Sequence, residues 1–194
     1  MRYGVKWPEY ARQWDAMKIN KSRVAYFEHV AGYAIEHKTI YQAVELRTTS
    51  GRAGVKWYHV AVLHRRESDA DFDTYLGNGQ WLHERTTLVP KGRGPFKTFV
   101  EGAVDALKID GLTTVIDWRL EKILYYSEIY NGTGYSARGL PSPYIWGGTN
   151  IQKPGKYIAD RVFNARVWDT QPGCAPMLWM IAKLDKSVVF ERET

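Results

Sequence analysis

The stretch from Val55 to Arg66 constrains the fold of this chain more than any other. Trp57, Val60, Ala61, Val62 and Leu63 leave almost no polar face in its middle. A helix that is apolar all round has to be enclosed by other elements, so the spacing predicts a central, buried helix. Further helices are available to enclose it. Pro8 to Met17 reads as a short helix with Pro near its start. Lys21 to about Leu46 reads as one or two helices, with Val24, Phe27, Val30, Ala31 and Ala34, then Ile40, Ala43 and Val44, at helical spacing. Phe96, Phe99, Val100, Ala103, Val104 and Leu107 mark an amphipathic helix, and Asp117 is a plausible N-cap for another that runs to about Tyr130. Lys156 to Phe163 and Gly173 to Leu184 read as short helices.

Between these lie segments of another character. Thr48 to Gly54 is a loop and Asp69 to Thr74 is turn-like. Leu76 to Leu88 carries the hairpin signal Gly77-Asn78-Gly79, followed by the Thr-rich stretch Thr86 to Val89. Pro90 to Pro95 is a Gly/Pro/Lys loop. Asn131 to Gly148, rich in Gly, Ser, Pro and Tyr, reads as a long loop of the sort that binds something. The expected class is α+β, mainly α: a helical core with a small β-hairpin region after the buried helix. No repeat or linker divides the chain, so one domain is expected over 1–194, with 1–50 as an N-terminal helical segment packed on it.

Cys174 is the one cysteine, so no intramolecular disulfide supports the core, as suits a reducing cytosol. Eight Trp and 13 Tyr exceed what a core of this size needs, which predicts aromatics displayed in a groove. Their flat faces suit sugar rings. The net charge of +6 implies an acidic partner: nucleic acid, a membrane surface or an anionic cell wall. Basic residues occur only in short clusters, such as His64-Arg65-Arg66, and no nucleic-acid-binding signature is present. The start of the chain lacks the apolar run of a signal peptide, and no stretch is long enough to span a membrane. The histidines show no metal-binding spacing, so neither a metal nor another cofactor is expected.

Glu67 is the leading candidate for chemistry. It ends the buried helix, where burial and the partial negative charge of the helix C-terminus both disfavour its ionised form. A carboxyl held protonated near neutral pH can protonate a leaving oxygen, as cleavage of a glycosidic bond requires. A capping or ion-paired glutamate is the bland alternative.

The segment Val60 to Ser68 resembles the end of the catalytic helix in goose-type lysozymes and soluble lytic transglycosylases, where an apolar helix runs into Glu-Ser. Glu128-Ile129-Tyr130-Asn131-Gly132-Thr133-Gly134 resembles the Tyr-Asn-x-Gly motif of that family. A closer resemblance is to lysozyme-like proteins of phages and bacteria. It rests on His64-Arg65-Arg66-Glu67-Ser68, Phe72, Leu76-Gly77-Asn78-Gly79 and Thr86 to Arg93. It continues through Tyr130 to Tyr135, Ser142-Pro143-Tyr144-Ile145-Trp146, and Gly155-Lys156-Tyr157 with Asp160. The match covers about Trp57 to Cys174. The chain departs from that pattern at Gln80, where an acidic residue is frequent, and at Trp81.

The resemblance implies a lysozyme-like fold and a muramidase, of endolysin type, that cuts peptidoglycan between N-acetylmuramic acid and N-acetylglucosamine with Glu67 as general acid. An inverting hydrolase needs a second carboxylate. Asp73, just before the hairpin, is the first choice, with Asp71 and Glu84 as alternatives. A lytic transglycosylase would need Glu67 alone, and a catalytically inactive glycan-binding domain is the reading from another class. Ser68 either hydrogen-bonds Glu67 or simply ends the helix; Tyr130 and Asn131 are expected to line the adjoining subsite, with a helix stop signal as the alternative, and Tyr135, Tyr144 and Trp146 to stack on sugars, with core packing as the alternative. His64 reads as a packed histidine. The expected partner is the glycan strand of peptidoglycan, without nucleic acid or stable membrane insertion, and the expected state is a monomer. An endolysin of this sort would accumulate in the host cytoplasm and reach the periplasm and wall once the inner membrane is opened.

Overall fold

The computed structural model describes residues 7–49, 53–159 and 161–192. Its helices are α1 (Trp7–Ala16), α2 (Val24–Glu36), α3 (Lys38–Thr48), α4 (Trp57–Ser68), α5 (Phe99–Ile109), α6 (Leu120–Asn131), α7 (Pro143–Trp146) and α8 (Cys174–Leu184). Strands β1 (Lys156–Ala159) and β2 (Val162–Asn164) pair antiparallel, with Tyr157 opposite Phe163. The protein is therefore α+β and mainly α. The sheet is not where the sequence suggested. Lys156 to Phe163, expected as a helix, is the hairpin, and the region after α4 contributes a single bridge, Thr74 to Trp81. Asp160 lies outside the described residues. The chain divides into two compact units, Gly32–Trp118 and a discontinuous one, Met1–Ala31 with Arg119–Thr194. The boundary runs through α2, so the 1–50 segment contributes to both.

In the Gly32–Trp118 unit, α3 packs on α4 and α5. Every residue of α4 from Trp57 to His64 is buried, as its apolar sequence requires. The start of α4 is held by α3: the Glu45 carboxylate accepts from the Trp57 N–H at 2.9 Å and pairs with Lys56 at 3.1 Å. A carboxylate there satisfies an orphan donor and the positive end of the helix dipole. The approach depends on Gly54, since a Cβ there would lie 2.0 Å from the Glu45 carbonyl oxygen. In α5, Phe99, Gly102, Ala103, Ala106 and Leu107 form the buried stripe. Thr98 caps this helix by accepting from the Glu101 N–H, while the Glu101 carboxylate accepts from the Lys97 N–H at 2.9 Å.

In the discontinuous unit, α6 packs against α1 and α7, and α7 against α8. Asp117 is not the N-cap of α6. The helix begins at Leu120, after Arg119 with extended backbone and no side-chain cap. Arg192 ties the C-terminal segment to α1 and α6 by reaching Asp15 at 2.7 Å and buried Glu121 at 3.1 Å. The expected long loop, Asn131 to Gly148, contains α7, and residues 142–149 are buried throughout.

Candidate functional site

The end of α4 sets the position of Glu67. The helix stops because Asp69 and Ala70 both take left-handed backbone conformations, with φ of 57° and 61°. Their N–H groups both bond to the His64 carbonyl. Arg65 secures the stop through an ion pair with Asp69 at 2.9 Å. Glu67 is half-buried in the last turn. The Gly77-Asn78-Gly79 turn then folds onto this helix end. A Cβ on Gly79, at φ +70°, would lie 3.2 Å from the Glu67 carbonyl oxygen. Ser68 ends the helix and does not bond Glu67: its buried hydroxyl has no hydrogen-bond partner among the described residues.

Asp73 is exposed. The Asp71 carboxylate accepts from its N–H at 2.9 Å, and its own carbonyl accepts from Leu82 at 2.8 Å. With Phe72, Leu82, His83, Lys97 and Phe99 it lines a cavity of about 240 Å³ whose walls do not include Glu67. Asp71 serves the turn. Glu84 is exposed.

Gln80 has a role that a carboxylate could fill only in part. Its amide oxygen accepts from the N–H groups of Thr87 and Leu88 at 2.9 and 2.7 Å. Its amide nitrogen donates to the Thr87 hydroxyl at 2.9 Å, which a carboxylate cannot do. Thr86 closes the following loop, donating to the Pro90 carbonyl and accepting from the Arg93 N–H. Arg93 then grips Asp105 of α5 with Nε at 2.9 Å and with Nη2. That pairing holds the Asp105 carboxyl below the usual range against the opposing effect of burial. Trp81, 60 % exposed, presents a flat aromatic surface directly opposite Thr74.

His64, three residues before Glu67, belongs to the core. Its Nδ1 faces the Tyr41 hydroxyl at 3.0 Å and its Nε2 faces the Asp71 carbonyl at 2.9 Å. The Nε2–H donates and Nδ1 accepts, because the Asp71 carbonyl can only accept. Phe72 and Phe99 pack on its ring at 4.9 and 4.1 Å. Burial lowers its pKa to about 4.

Tyr130, Asn131, Tyr135, Tyr144 and Trp146 all fall in the other unit. Tyr130 and Asn131 end α6, half-buried and exposed respectively. Tyr135, Tyr144 and Trp146 are not displayed, at 6 %, 2 % and 1 % exposure. Their apolar area is used for packing: Tyr135 meets Tyr157 edge-on at 5.2 Å, and Tyr144 and Trp146 lie on the short α7 between its neighbours. Among the described residues the exposed tryptophans are Trp81, Trp168 and Trp179.

This unit also holds a buried carboxylate to which the sequence assigned no role. Glu128, buried on α6, accepts hydrogen bonds from the hydroxyls of Tyr10 and Ser136. Burial, then the adjacent Glu128 carboxylate, pushes the Tyr10 phenol above its ordinary pKa. These residues line a cavity of about 340 Å³ together with Leu140, Ser142 and Trp146. The sequence signal was a charged residue on the helix face of Leu120, Ile123, Leu124 and Ser127. Among the described residues no group of three His, Cys, Asp or Glu side chains is placed to hold a metal ion, and no helix is long and apolar enough to cross a membrane. The chain matches no family model, no curated protein and no solved structure.

Proposed function

We propose that this chain is a peptidoglycan-cleaving muramidase of the endolysin type, with Glu67 as the general acid. The observation that carries this reading is the end of α4, where a half-buried glutamate sits in the last turn beside a buried serine hydroxyl without a partner among the described residues. A proton donor for glycoside cleavage needs such a partly desolvated position near helix carbonyls. Asp73, exposed six residues on, is the second carboxylate this reading calls for, and Trp81 across the bridge from Thr74 offers a platform for a sugar ring. The net charge of +6 favours a polyanionic wall. In this reading the protein acts as a monomer, after the inner membrane has been opened.

A second reading, a lytic transglycosylase, is favoured by Gln80, whose amide is committed to the Thr87 and Leu88 loop. That reaction needs only Glu67, as acid and then base. Mass spectrometry of the fragments released from purified peptidoglycan separates the readings: reducing muramic acid ends mark the hydrolase, 1,6-anhydro ends the transglycosylase. Glu67→Gln should abolish release and leave wall binding intact. Lysis by that variant refutes the site, and no release by folded wild type points to a binding domain.

A further inference from the structure

The β1–β2 hairpin has a packed face and an open one. Tyr157 and Phe163 pack onto Tyr135 at 5.2 and 6.2 Å, and the Arg138 guanidinium covers the Phe163 ring at 4.2 Å. Ile158 is the extra residue of a bulge in β1, and Val162 precedes Phe163 in β2, so both leave that packed face. They are 54 % and 50 % exposed, and Trp168, just past the hairpin, is 54 % exposed. The root of the hairpin is tied down. The Gly155 N–H donates to the Val167 carbonyl at 2.8 Å, and Lys156 pairs with buried Asp169 at 3.4 Å. Ordered backbone therefore holds aliphatic side chains out in water.

Exposed apolar residues that stand singly are ordinary. What sets this hairpin apart is the charge around them. Between Asn150 and Trp168 the sequence carries Lys153, Lys156, Arg161 and Arg166 against one acid, Asp160. Lys156 is used by Asp169. The exposed Lys153, Arg161 and Arg166 make no ion pair among the described residues. We propose that this hairpin docks the protein reversibly on the surface of an anionic lipid bilayer. Ile158 and Val162 would enter the boundary between headgroups and acyl chains, where aliphatic surface leaves water. The arginines and Lys153 would meet lipid phosphates, and a tryptophan such as Trp168 is favoured at headgroup level. A nucleic acid would engage the same cations, but its phosphates offer nothing to Ile158 and Val162, so the aliphatic pair favours the bilayer.

The inference does not depend on Glu67 being catalytic, and the test keeps the two apart. The full-length protein is sedimented with vesicles of phosphatidylcholine mixed with phosphatidylglycerol, and with vesicles of phosphatidylcholine alone. Binding to the mixed vesicles, weakening as salt is raised, is the expected result. Arg166→Gln should weaken it about fivefold, the loss of one cation at the surface. Lys91→Gln removes the same charge from the other unit and should bind like the wild type. Ile158→Ser combined with Val162→Ser leaves the charge unchanged and should weaken binding roughly tenfold. Because both side chains are exposed, the Tm of that variant should match the wild type, and so should its release of fragments from purified, lipid-free peptidoglycan. Four results overturn the proposal: no binding at low salt, equal binding to both kinds of vesicle, equal weakening by Lys91→Gln and Arg166→Gln, or full binding by the double serine variant. Binding to a short DNA duplex with the same sensitivity to the two serines also overturns it, and marks the face as a nucleic-acid surface.

Discussion

Mild acid should destabilise this protein markedly, because two buried histidines are neutral in the fold. Burial lowers His59 to about 3 and His64 to about 4, from an ordinary 6.5. As pH falls through 6.5, the unfolded chain takes up a proton at each position. The folded chain takes up neither until far lower pH, so stability is complete above 6.5 and drains away below it. Linkage puts the loss between pH 7 and pH 5 at about 1.8 kcal/mol per histidine, or about 3.5 kcal/mol for the pair. Domains of this size have a total stability of roughly 5–15 kcal/mol, so the effect is large. In urea, with a slope of about 2 kcal/mol per molar, the unfolding midpoint should fall by roughly 1.7 M across that interval. Asp110, whose carboxyl is raised by burial, works in the opposite sense, so the decisive comparison is between wild type and His64→Gln. Glutamine can still donate to the Asp71 carbonyl but does not titrate, and all other ionisable groups are common to the two proteins. The pH-dependent drop in midpoint should be about half as large in the variant. Parallel profiles for the two proteins, or a wild-type midpoint that is flat from pH 7 to pH 5, would refute the assignment of His64 as a buried neutral group.

Two further substitutions probe the approach of the 77–93 region to the helix that carries Glu67. Gly79→Ala places a Cβ at positive φ and 3.2 Å from the Glu67 carbonyl. It should cost about 1–2 kcal/mol by urea denaturation and reduce wall lysis beyond that loss, because the helix end must shift. Arg93→Lys keeps the charge but loses the two-pronged grip on Asp105. Hydrogen exchange at the Gly92 amide, which bonds to the Thr86 carbonyl at 2.8 Å, should accelerate while α5 remains protected.

The helices were legible where burial is simple. The all-round apolar run at Trp57 to Leu63 admits one arrangement, and the stripe at Phe99, Ala103 and Leu107 has one inner face. The hairpin at Lys156 to Asn164 was not, because strands of four and three residues carry too little period to read. What makes them strands lies partly elsewhere in the chain. Tyr157 meets Phe163 across the pair at 5.2 Å, and the Arg138 guanidinium covers the Phe163 ring at 4.2 Å. The turn passes through Arg161 at φ 59° without a glycine to signal it. Asn131 to Gly148 misled for a related reason. Its Gly, Ser and Pro content denotes irregular backbone, and irregular backbone is usually exposed. Here Tyr144, Ile145 and Trp146 draw it inward onto α6 and α8.

The same distinction separates the two polar sites. Glu67 could be located from local sequence because what fixes it is local: an apolar helix, a stop two residues later, and a turn signal ten residues further on. Even there, the unsatisfied Ser68 hydroxyl and the amide role of Gln80 emerge only once the turn has folded back. Glu128 had no such local frame. Its partners include Ser136, eight residues away, and Tyr10, 118 residues away, so the motif that Glu128 opens carries no local sign of a buried carboxylate. A buried carboxylate is tolerable only with hydrogen bonds to meet it, and here two hydroxyls do so. A carboxylate framed by its own helix end can therefore be picked out of a sequence, whereas one whose burial is met from distant parts of the chain cannot.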